Sequence, residues 1–486
     1  MIRVDIHPLA ISGDTVRFSW DISTPIPAQP RTAFEIQYHG LDLSTVSPTL
    51  LLEVLLALQL RVLARLRRPV TVRLPFAVPA PVVTFWLAYA GSEQIEAGPL
   101  SDALSYEPWL MTPAASPPPR KHAVFYTGGR DSLLTTMALA EMSSGGMDDV
   151  LLVHLANSYG HLSSGGQQFA EARERRVLGP MRTRFGFRTA LARSTFQGTF
   201  QGTGAGFRPH FEHYHAGLLP LLLTWGVEFA ALSLEIDAFH VHLPTAARAR
   251  VDFPLSRPEW LGAITRHRRA TLGLPLEIGN LSWPLGQQAS YRMLAERYPE
   301  AYPLVHPCDH PSGRWCYRCA KCLKHLLLTL AVGRRDASFD YSHALSRGKE
   351  MVETLARLPE VAPPDGSNSP WLPEFCEDWL FDSLCFAVAT IDLDHVADWL
   401  DADAIAAIAR LVAHYGNVRN PMFGQVAEAA FAGVPARFRD AWRAILSEHL
   451  PLVADFPAKR LPNGTLDVMG WQHTLTLPAS IAPPPP

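Results

Sequence analysis

Residues 123–134 read Ala-Val-Phe-Tyr-Thr-Gly-Gly-Arg-Asp-Ser-Leu-Leu, which places an apolar strand directly before two glycines and the start of a helix. Gly128 and Gly129 allow the backbone to turn sharply and to approach an anion closely. Ser132 lies where its hydroxyl and the first helical amides can bind phosphate oxygens. Asp131 could cap the helix or hold a magnesium ion that bridges the phosphates. The stretch therefore predicts a phosphate-binding loop, with a plain strand-to-helix turn as the alternative.

The segments that follow the loop indicate a parallel sheet. A helix is expected from Ser132, an apolar run covers 150–155, and a helical pattern covers 167–185. This alternation is the βαβ rhythm of a parallel sheet covered by helices, and it puts the loop at the carboxyl end of a strand, where open sheets bind ligands. The Walker pattern does not apply, because no Gly-Lys-Ser/Thr follows at the required spacing.

Two proline-rich stretches divide the 486 residues. The segments 112–119 (TPAASPPP) and 359–373 are typical of linkers, because stacked prolines hold an extended conformation. Before the first linker, short alternating runs and one helical stretch at 48–66 indicate a separate α+β unit, and after the second the segments at 374–450 read as entirely helical. The predicted parts are an N-terminal α+β domain (1–115), a central α/β domain (120–345) and a C-terminal helical region (370–486).

Composition argues against several classes of protein. Hydrophobic residues make up 48% and charged residues 18% of the chain, which is the mixture of a globular protein. A net charge of -3 gives no reason to expect nucleic acid or an anionic membrane as a partner. Residues 1–10 lack the apolar core of a signal peptide, and the most apolar stretch, 216–234, is interrupted by Gly217, Pro220 and Glu228. These features predict a cytoplasmic protein in which 216–234 forms a buried helix and a strand.

A group of cysteines predicts a metal site. The spacing C-x7-C-x2-C-x2-C within 308–322 supplies four soft ligands suited to tetrahedral zinc, and four protein ligands leave no open position for a substrate. The predicted ligands are Cys308, Cys316, Cys319 and Cys322. A metal-free cluster and an iron–sulfur cluster are the alternatives. Cys376 and Cys385 lie in apolar helical context and are expected to be buried thiols.

The glycine loop resembles a known motif. The run 127–132, Thr-Gly-Gly-Arg-Asp-Ser, resembles the Ser-Gly-Gly-x-Asp-Ser loop of the ATP pyrophosphatases, with threonine in place of the first serine. These enzymes have an adenine nucleotide alpha hydrolase-like fold and cleave ATP between the α and β phosphates to form adenylylated intermediates. The resemblance implies ATP and Mg²⁺ as ligands of the loop, and the implied nucleotide-binding residues are Tyr126, Thr127, Gly128, Gly129, Asp131 and Ser132.

The cysteine group extends the resemblance over roughly 121–330. A similar four-cysteine knuckle closes the ATP pyrophosphatase domain of the 7-cyano-7-deazaguanine synthases. The run 257–260, Arg-Pro-Glu-Trp, is similar to their Arg-Pro-Glu-Phe element, and 282–285, Ser-Trp-Pro-Leu, occupies the place of their Pro-Leu turn. This resemblance implies a structural Zn²⁺ and an enzyme that adenylylates a carboxylate to form an amide or a nitrile.

A narrower resemblance covers the whole chain. The runs 34–43 (FEIQYHGLDL), 125–134 and 154–168 (HLANSYGHLSSGGQQ) are similar to the UDP-N-acetylmuramoyl-L-alanyl-L-glutamate epimerases of peptidoglycan biosynthesis. The resemblance implies a UDP-sugar dipeptide as substrate and inversion of its terminal L-glutamate through an acyl-adenylate, with release of AMP and pyrophosphate. Adenylylation makes the Cα–H of that glutamate more acidic, so that a base can remove the proton and an acid can return it on the other face.

The residues that transfer the proton are less sharply indicated. Polar runs after the second strand (154–168) and before the apolar stretch (208–215) could both line the cleft. Catalytic candidates are the loop residues Asp131 and Arg130 together with His154, Tyr159, His161, His210, Glu212 and His215. The alternative for each histidine is a place on the surface or in a hydrogen-bonded core. Glu235 and Asp237 follow an apolar run and are candidates for metal or ribose ligands, or for helix caps.

A protein without catalytic activity is a third hypothesis, in addition to the epimerase and the amide- or nitrile-forming enzyme. A nucleotide-sensing or RNA-binding protein could keep this fold and lose the chemistry. The intact loop residues argue against such a loss, and the near-neutral charge argues against RNA. Fold alone does not choose among these functions, and the sequence leaves the oligomeric state open.

Overall fold

A computed structural model describes most of the chain. The described residues are 1–25, 31–64, 68–102, 120–157, 164–196, 210–235, 258–273, 275–308, 315–317, 319–349, 352–353, 387–415, 424–454, 459–461 and 464–466. Both predicted linkers, 112–119 and 359–373, lie outside them.

Strands form where apolar side chains alternate or run continuously. In β3 and β4 every second side chain is buried, as expected for strands with one face in a core, whereas all four side chains of β7 are buried. The strands are β1 Ile2–Ile6, β2 Ala10–Ser12, β3 Thr15–Ile22, β4 Ala33–Tyr38, β5 Val70–Pro79, β6 Ile95–Ser101, β7 His122–Phe125, β8 Val150–Asn157, β9 Arg188–Ser194, β10 Phe229–Leu232, β11 Glu277–Asn280, β12 Val426–Ala427, β13 Leu452–Val453, β14 Lys459–Leu461 and β15 Gly464–Leu466.

Helices connect and cover the strands. The helices are α1 Pro48–Ala64, α2 Ala80–Ala90, α3 Arg130–Met142, α4 Ser164–Phe185, α5 His210–Gly217, α6 Leu219–Thr224, α7 Pro258–Leu272, α8 Gln287–Arg297, α9 Ala320–Val332, α10 Tyr341–Arg347, α11 Leu393–Val396, α12 Ala402–Tyr415 and α13 Ala436–Ser447. In the described part of the chain, none of them combines the length and apolar character needed to cross a bilayer.

One large, mostly parallel sheet organises the fold. Its order is β11-β10-β7-β8-β9-β4-β3-β1-β5-β6, with β2 paired to β3. The five strands from β11 to β9 run parallel to one another, and β7 lies at their centre. The predicted α/β class is therefore confirmed, and so is the prediction that 216–234 contains buried helix followed by a strand.

The N-terminal strands continue this sheet. Strand β4 pairs antiparallel with β9, and the hydroxyl of Tyr38 at its end donates to the carbonyl of Gly217 at 2.8 Å. The ring of Phe34 meets that of Phe196 edge to face at 5.0 Å. These contacts correct the prediction of a separate unit at 1–115, because backbone pairing and apolar packing join that segment to the central strands.

The alternation of side chains along β7 builds a core on each face of the sheet. Ala123 and Phe125 point into the first core, which α1, α2, α6 and α7 cover. Val124 and Tyr126 point into the second core, which α3, α4, α8 and α9 and the C-terminal helices cover. Helices on both faces are the arrangement expected for a parallel sheet that is buried on both sides.

Two details of the predicted secondary structure are wrong. The N-terminal segment contains a second helix, α2, whose buried side chains are nearly all apolar, so its sequence shows no amphipathic period. The C-terminal region is not entirely helical, because β12 pairs with β13 and β14 with β15.

Candidate functional site

The loop between β7 and α3 leaves the centre of the parallel strands at their carboxyl end. Gly128 has a φ of +78°, a left-handed conformation that glycine adopts without strain. A Cβ built on Gly128 would lie 2.8 Å from both terminal methyl groups of Val177 on α4. The backbone conformation and the close approach of α4 therefore both require glycine at this position.

Hydroxyl groups close the loop on itself. The amide of Thr127 donates to Oγ of Ser132 at 3.2 Å, and the Ser132 hydroxyl donates to the carbonyl of Gly129 at 3.1 Å. Since the Ser132 hydroxyl carries only one proton, the Oγ1 of Thr127, 3.2 Å away, donates to it. These bonds hold the loop in a narrow turn, and they give the predicted phosphate ligand Ser132 a structural role as well.

The first turn of α3 has no side-chain cap among the described residues. Gly129 is the N-cap residue and Asp131 lies in the first turn, but no described side chain accepts from the helix amides there. Such amides carry the positive end of the helix dipole and form a site for an anion. Of the two roles that the sequence left open for Asp131, the structure shows no helix cap, because its carboxylate pairs with the guanidinium of Arg130 at 2.5 Å instead.

Arg130 links the loop to the end of β10. Its side chain is 3% exposed, and it forms an ion pair with Glu235, which is also buried. Its guanidinium carbon lies 5.0 Å from the ring centre of Tyr291. A buried cation needs such partners to offset its desolvation, so the position of Arg130 is set by two carboxylates and one aromatic face.

His154, a predicted proton-transfer residue, lies beneath the loop. Its Nδ1 donates to the carbonyl of Tyr126 at 2.7 Å, and its Nε2 has no hydrogen-bond partner among the described residues. Burial lowers the pKa of His154 to about 4, so the ring is neutral near pH 7. With 2% of its surface exposed, His154 supports the backbone where the loop begins.

Four cysteines meet at the start of α9. The Sγ atoms of Cys308, Cys316, Cys319 and Cys322 all lie within 4.8 Å of one another. Cys308 and Cys322 are buried, and Cys319 is the N-cap residue of α9. Tyr317, between the second and third cysteines, has a φ of +59°, and this left-handed turn brings Cys316 and Cys319 together.

The donor set fits a single metal ion. The Sγ of Cys322 is 3.5 Å from that of Cys319 and 3.7 Å from that of Cys316, which is too far for disulfides. Tetrahedral zinc with Zn–S bonds of about 2.3 Å requires sulfurs about 3.8 Å apart. Hydrogen bonding to Cys308 and burial raise the pKa of Cys319, to about 12, because a second thiolate is unfavourable among close sulfurs unless a cation joins them.

Of the other predicted proton-transfer residues, His215 has a described side chain, and it lies away from the loop. His215 lies in the first core, on the opposite face of the sheet from α3, where its Nε2 is 3.3 Å from the Tyr89 hydroxyl and Arg268 donates to its carbonyl. Burial and the charge of Arg268 hold its pKa well below the usual range. His215 is thus a core histidine, the alternative that its sequence left open.

Several predicted residues lie where no side-chain contact is described. His210 and Glu212 belong to α5, but their side chains are outside the described part of the structure. Tyr159, His161 and Asp237 are outside the described residues, as are Cys376 and Cys385.

The sequence prediction missed the residues around Arg130 and the cysteines. Tyr291, His325 and Asp336 form a buried hydrogen-bonded chain, and His306 and Trp315 stack on each other beside it. The signal available was proximity to the cysteines, since His306, Trp315 and His325 lie within three residues of Cys308, Cys316 and Cys322.

The glycine loop, the Arg130 ion pairs and the cysteine cluster thus share the second-core face of the sheet. Together they present helix amides, a carboxylate and a closed set of thiols beside the end of a central parallel strand. Comparison of the chain with protein-family models, with curated proteins and with solved structures finds no match.

Proposed function

We propose that this protein is an ATP-dependent enzyme whose central region is an ATP pyrophosphatase-like domain that adenylylates a carboxylate. The observation that carries the proposal is the loop after β7, with its left-handed Gly128 and its uncapped helix start at the carboxyl edge of the sheet. That edge is where open α/β sheets bind nucleotides. The first amides of α3 would hold the phosphates, which then leave as pyrophosphate.

The carboxylates near the loop suit a magnesium ion. The side chain of Asp131 is 26% exposed, so it can reach a ligand, whereas Glu235 is enclosed. When bound, Mg²⁺ would neutralise charge on the phosphates. The ion pair with Arg130 fixes the position of the Asp131 carboxylate. In this proposal Arg130 is therefore a positioning residue, and Asp131 binds the metal ion.

The substrate we propose is UDP-N-acetylmuramoyl-L-alanyl-L-glutamate. An oxygen of the carboxylate attached to the Cα of its terminal glutamate attacks the α phosphorus of ATP. The bond between the α phosphorus and the β phosphate breaks, and pyrophosphate leaves. A base then removes the Cα proton of the acyl-adenylate, an acid returns a proton on the opposite face, and water releases AMP from the D-glutamate product. The resemblance across 34–43, 125–134 and 154–168 supports this substrate.

Exchange of the Cα hydrogen tests this function directly. Purified protein, ATP, Mg²⁺ and the UDP-linked L-Ala-L-Glu substrate are incubated in deuterium oxide, and AMP, pyrophosphate and product are measured. The proposal expects one AMP per epimerised glutamate and deuterium at its Cα. Neither AMP nor deuterium in the product would rule the epimerase out.

Matched aspartate variants locate the activity. Asp131→Ala should reduce AMP formation at least about a hundredfold, since it removes the metal-binding carboxylate from the loop. Asp21→Ala removes a surface carboxylate on β3 that pairs with His7, and it should leave the rate unchanged. Equal rates for both variants would exclude a catalytic loop and favour a nucleotide-sensing protein.

We propose a structural zinc ion for the cysteine cluster. Four thiols within 4.8 Å leave no open ligand position, and their spacing suits one ion better than a multi-iron cluster, in which the thiolates bind different irons. Elemental analysis should find one zinc per chain and no iron.

The cysteine cluster also favours a second candidate, an amide- or nitrile-forming enzyme of the deazaguanine type. The specific observation is that the segment leading to the cluster touches the loop, since the amide of His306 donates to the carbonyl of Gly128 at 3.0 Å. Ammonia-dependent turnover of a carboxydeazaguanine with AMP release would support this candidate over the epimerase.

A further inference from the structure

Arg130 depends on a chain of buried groups that reaches back to the cysteine cluster. The ring of Tyr291 lies under its guanidinium, and the Tyr291 hydroxyl is 2.8 Å from Nδ1 of His325. The other ring nitrogen of His325, Nε2, is 3.0 Å from a carboxylate oxygen of Asp336. All four side chains are at most 3% exposed.

The direction of these hydrogen bonds follows from the chemistry of the groups. The Asp336 carboxylate only accepts, so Nε2 of His325 donates to it. Burial lowers the pKa of His325, which keeps the ring neutral and leaves a lone pair on Nδ1. Burial also raises the pKa of Tyr291, so its hydroxyl keeps its proton and donates to that lone pair. This hydrogen bond holds the hydroxyl end of the Tyr291 ring in place.

A second branch runs from the cysteine cluster to the glycines. Trp315, the residue before Cys316, stacks on His306 with ring centres 4.2 Å apart and on His325 with ring centres 4.6 Å apart. The amide of His306 then donates to the carbonyl of Gly128. Trp315 therefore touches both branches, one that ends at Arg130 and one that ends at Gly128.

We propose that Tyr291, His325 and Trp315 are positioning residues through which the folded cysteine cluster fixes the phosphate loop. They set the backbone at Gly128 and the guanidinium of Arg130, and none of them needs to touch the ligand. The inference rests on the proposed function for the ligand, a polyphosphate, while the positioning itself is a property of the protein without ligand. Loss of the Tyr291 ring should loosen the loop even when the cysteine cluster keeps its metal.

Hydrogen exchange of the loop tests the positioning without any ligand. In the full-length, metal-loaded protein, Tyr291→Leu should raise amide exchange in the segment 126–134 at least about fivefold, since local protection falls when its contacts are lost. Tyr298→Leu is the matched control, because Tyr298 is buried in the same core and donates to Glu141 instead. Equal exchange in the two variants, with equal metal content, would overturn the proposal.

Binding measurements separate this inference from the proposed function. Calorimetric titration with MgATP and with inorganic pyrophosphate should show affinity about tenfold weaker for Tyr291→Leu, the size of a lost desolvated cation–π contact, and little change for Tyr298→Leu. Tyr291→Phe keeps the ring under Arg130 but loses the hydrogen bond to His325, so it should restore only part of the affinity. Normal binding by all variants would overturn the positioning and leave the proposed function standing.

Two further outcomes decide the remaining cases. If the original protein binds neither ligand but Tyr291→Leu loosens 126–134, the positioning stands and the proposed function fails. If Tyr291→Leu does not fold, Trp315→Leu serves instead, because Trp315 is only partly buried against the second core, whereas Tyr291 is fully enclosed in it. Unchanged loop exchange in Trp315→Leu would then count against the proposal.

Discussion

Each face of the sheet buries a histidine network, and the two networks end in different places. On the second-core face, both ring nitrogens of His325 have partners, and the network leads to Arg130 in the loop. On the first-core face, His215 joins Tyr89 and Arg268 between helices. There the Nε and Nη1 of Arg268 have no hydrogen-bond partner among the described residues.

The comparison shows that burial of a histidine does not by itself mark a functional site. Both residues are fully buried, and burial lowers the pKa of both. What distinguishes them is their contacts, because among the described residues only the His325 network reaches a loop at the carboxyl end of a parallel strand. The experiments below ask whether that distinction governs function.

Substitution of a cysteine in the cluster should cause the largest loss of stability, and that loss should arise on the second-core face. Cys322→Ser deletes a buried ligand, and the loss of a structural zinc costs on the order of several kcal/mol of unfolding free energy. Metal analysis and thermal unfolding measure both changes. Cys376→Ser controls for the loss of a thiol. Retention of one metal per chain in Cys322→Ser would contradict the metal assignment.

A methyl group at Gly128 should have the next largest effect. Gly128→Ala forces a side chain into a left-handed conformation and against Val177, which costs about 1–3 kcal/mol and should weaken ATP binding more than tenfold. Gly129→Ala is the matched control for stability. Gly129 has an ordinary φ of -74°, and a Cβ built on it would lie 3.5 Å from its nearest neighbour, Oγ1 of Thr127. Chemical denaturation and calorimetry measure the pair. Equal loss of stability in both variants would show that the loop is not fixed by α4.

Exchange of each buried histidine for phenylalanine compares the two networks directly. Both His215→Phe and His325→Phe should lower the unfolding free energy by about 1–3 kcal/mol, because each leaves buried polar partners without a bond. Only His325→Phe should also weaken ATP binding. Denaturation curves and ligand titration of the two variants test this, and equal binding loss in both would remove the distinction between the faces.

A fall in pH should produce the smallest loss of stability, through the protonation of His154. Its folded-state pKa is about 4 and lies below the unfolded value near 6.5, so the unfolded chain takes up the proton first. Its contribution to stability is therefore fully present above about pH 6.5 and is lost as the pH falls towards 4. Between pH 6 and 5 the expected loss is about 1 kcal/mol. Denaturation at each pH should show a shallower dependence for His154→Gln, and an identical slope would contradict the assignment.

Local chemistry explains which parts of the structure the sequence could predict. The turn at Gly128 and the cysteine spacing are encoded within a few residues, so their patterns are visible in the sequence. The partners of Arg130 are not, because Glu235 and Tyr291 come from distant segments that only the folded sheet brings together. Helix α2 was not predicted for another reason, since a segment whose only strongly polar position is Thr84 shows no helical period.

The antiparallel pairing of β4 with β9 has a consequence for attempts to produce the central parallel strands by themselves. A fragment that starts after 119 would lack β4, and the amides and carbonyls of β9 that now bond it would face solvent. A bare strand edge of this kind recruits other chains, and the apolar surface under Phe34 would be uncovered beside it. Such a truncated fragment should self-associate, so the two segments of the sheet are best produced together.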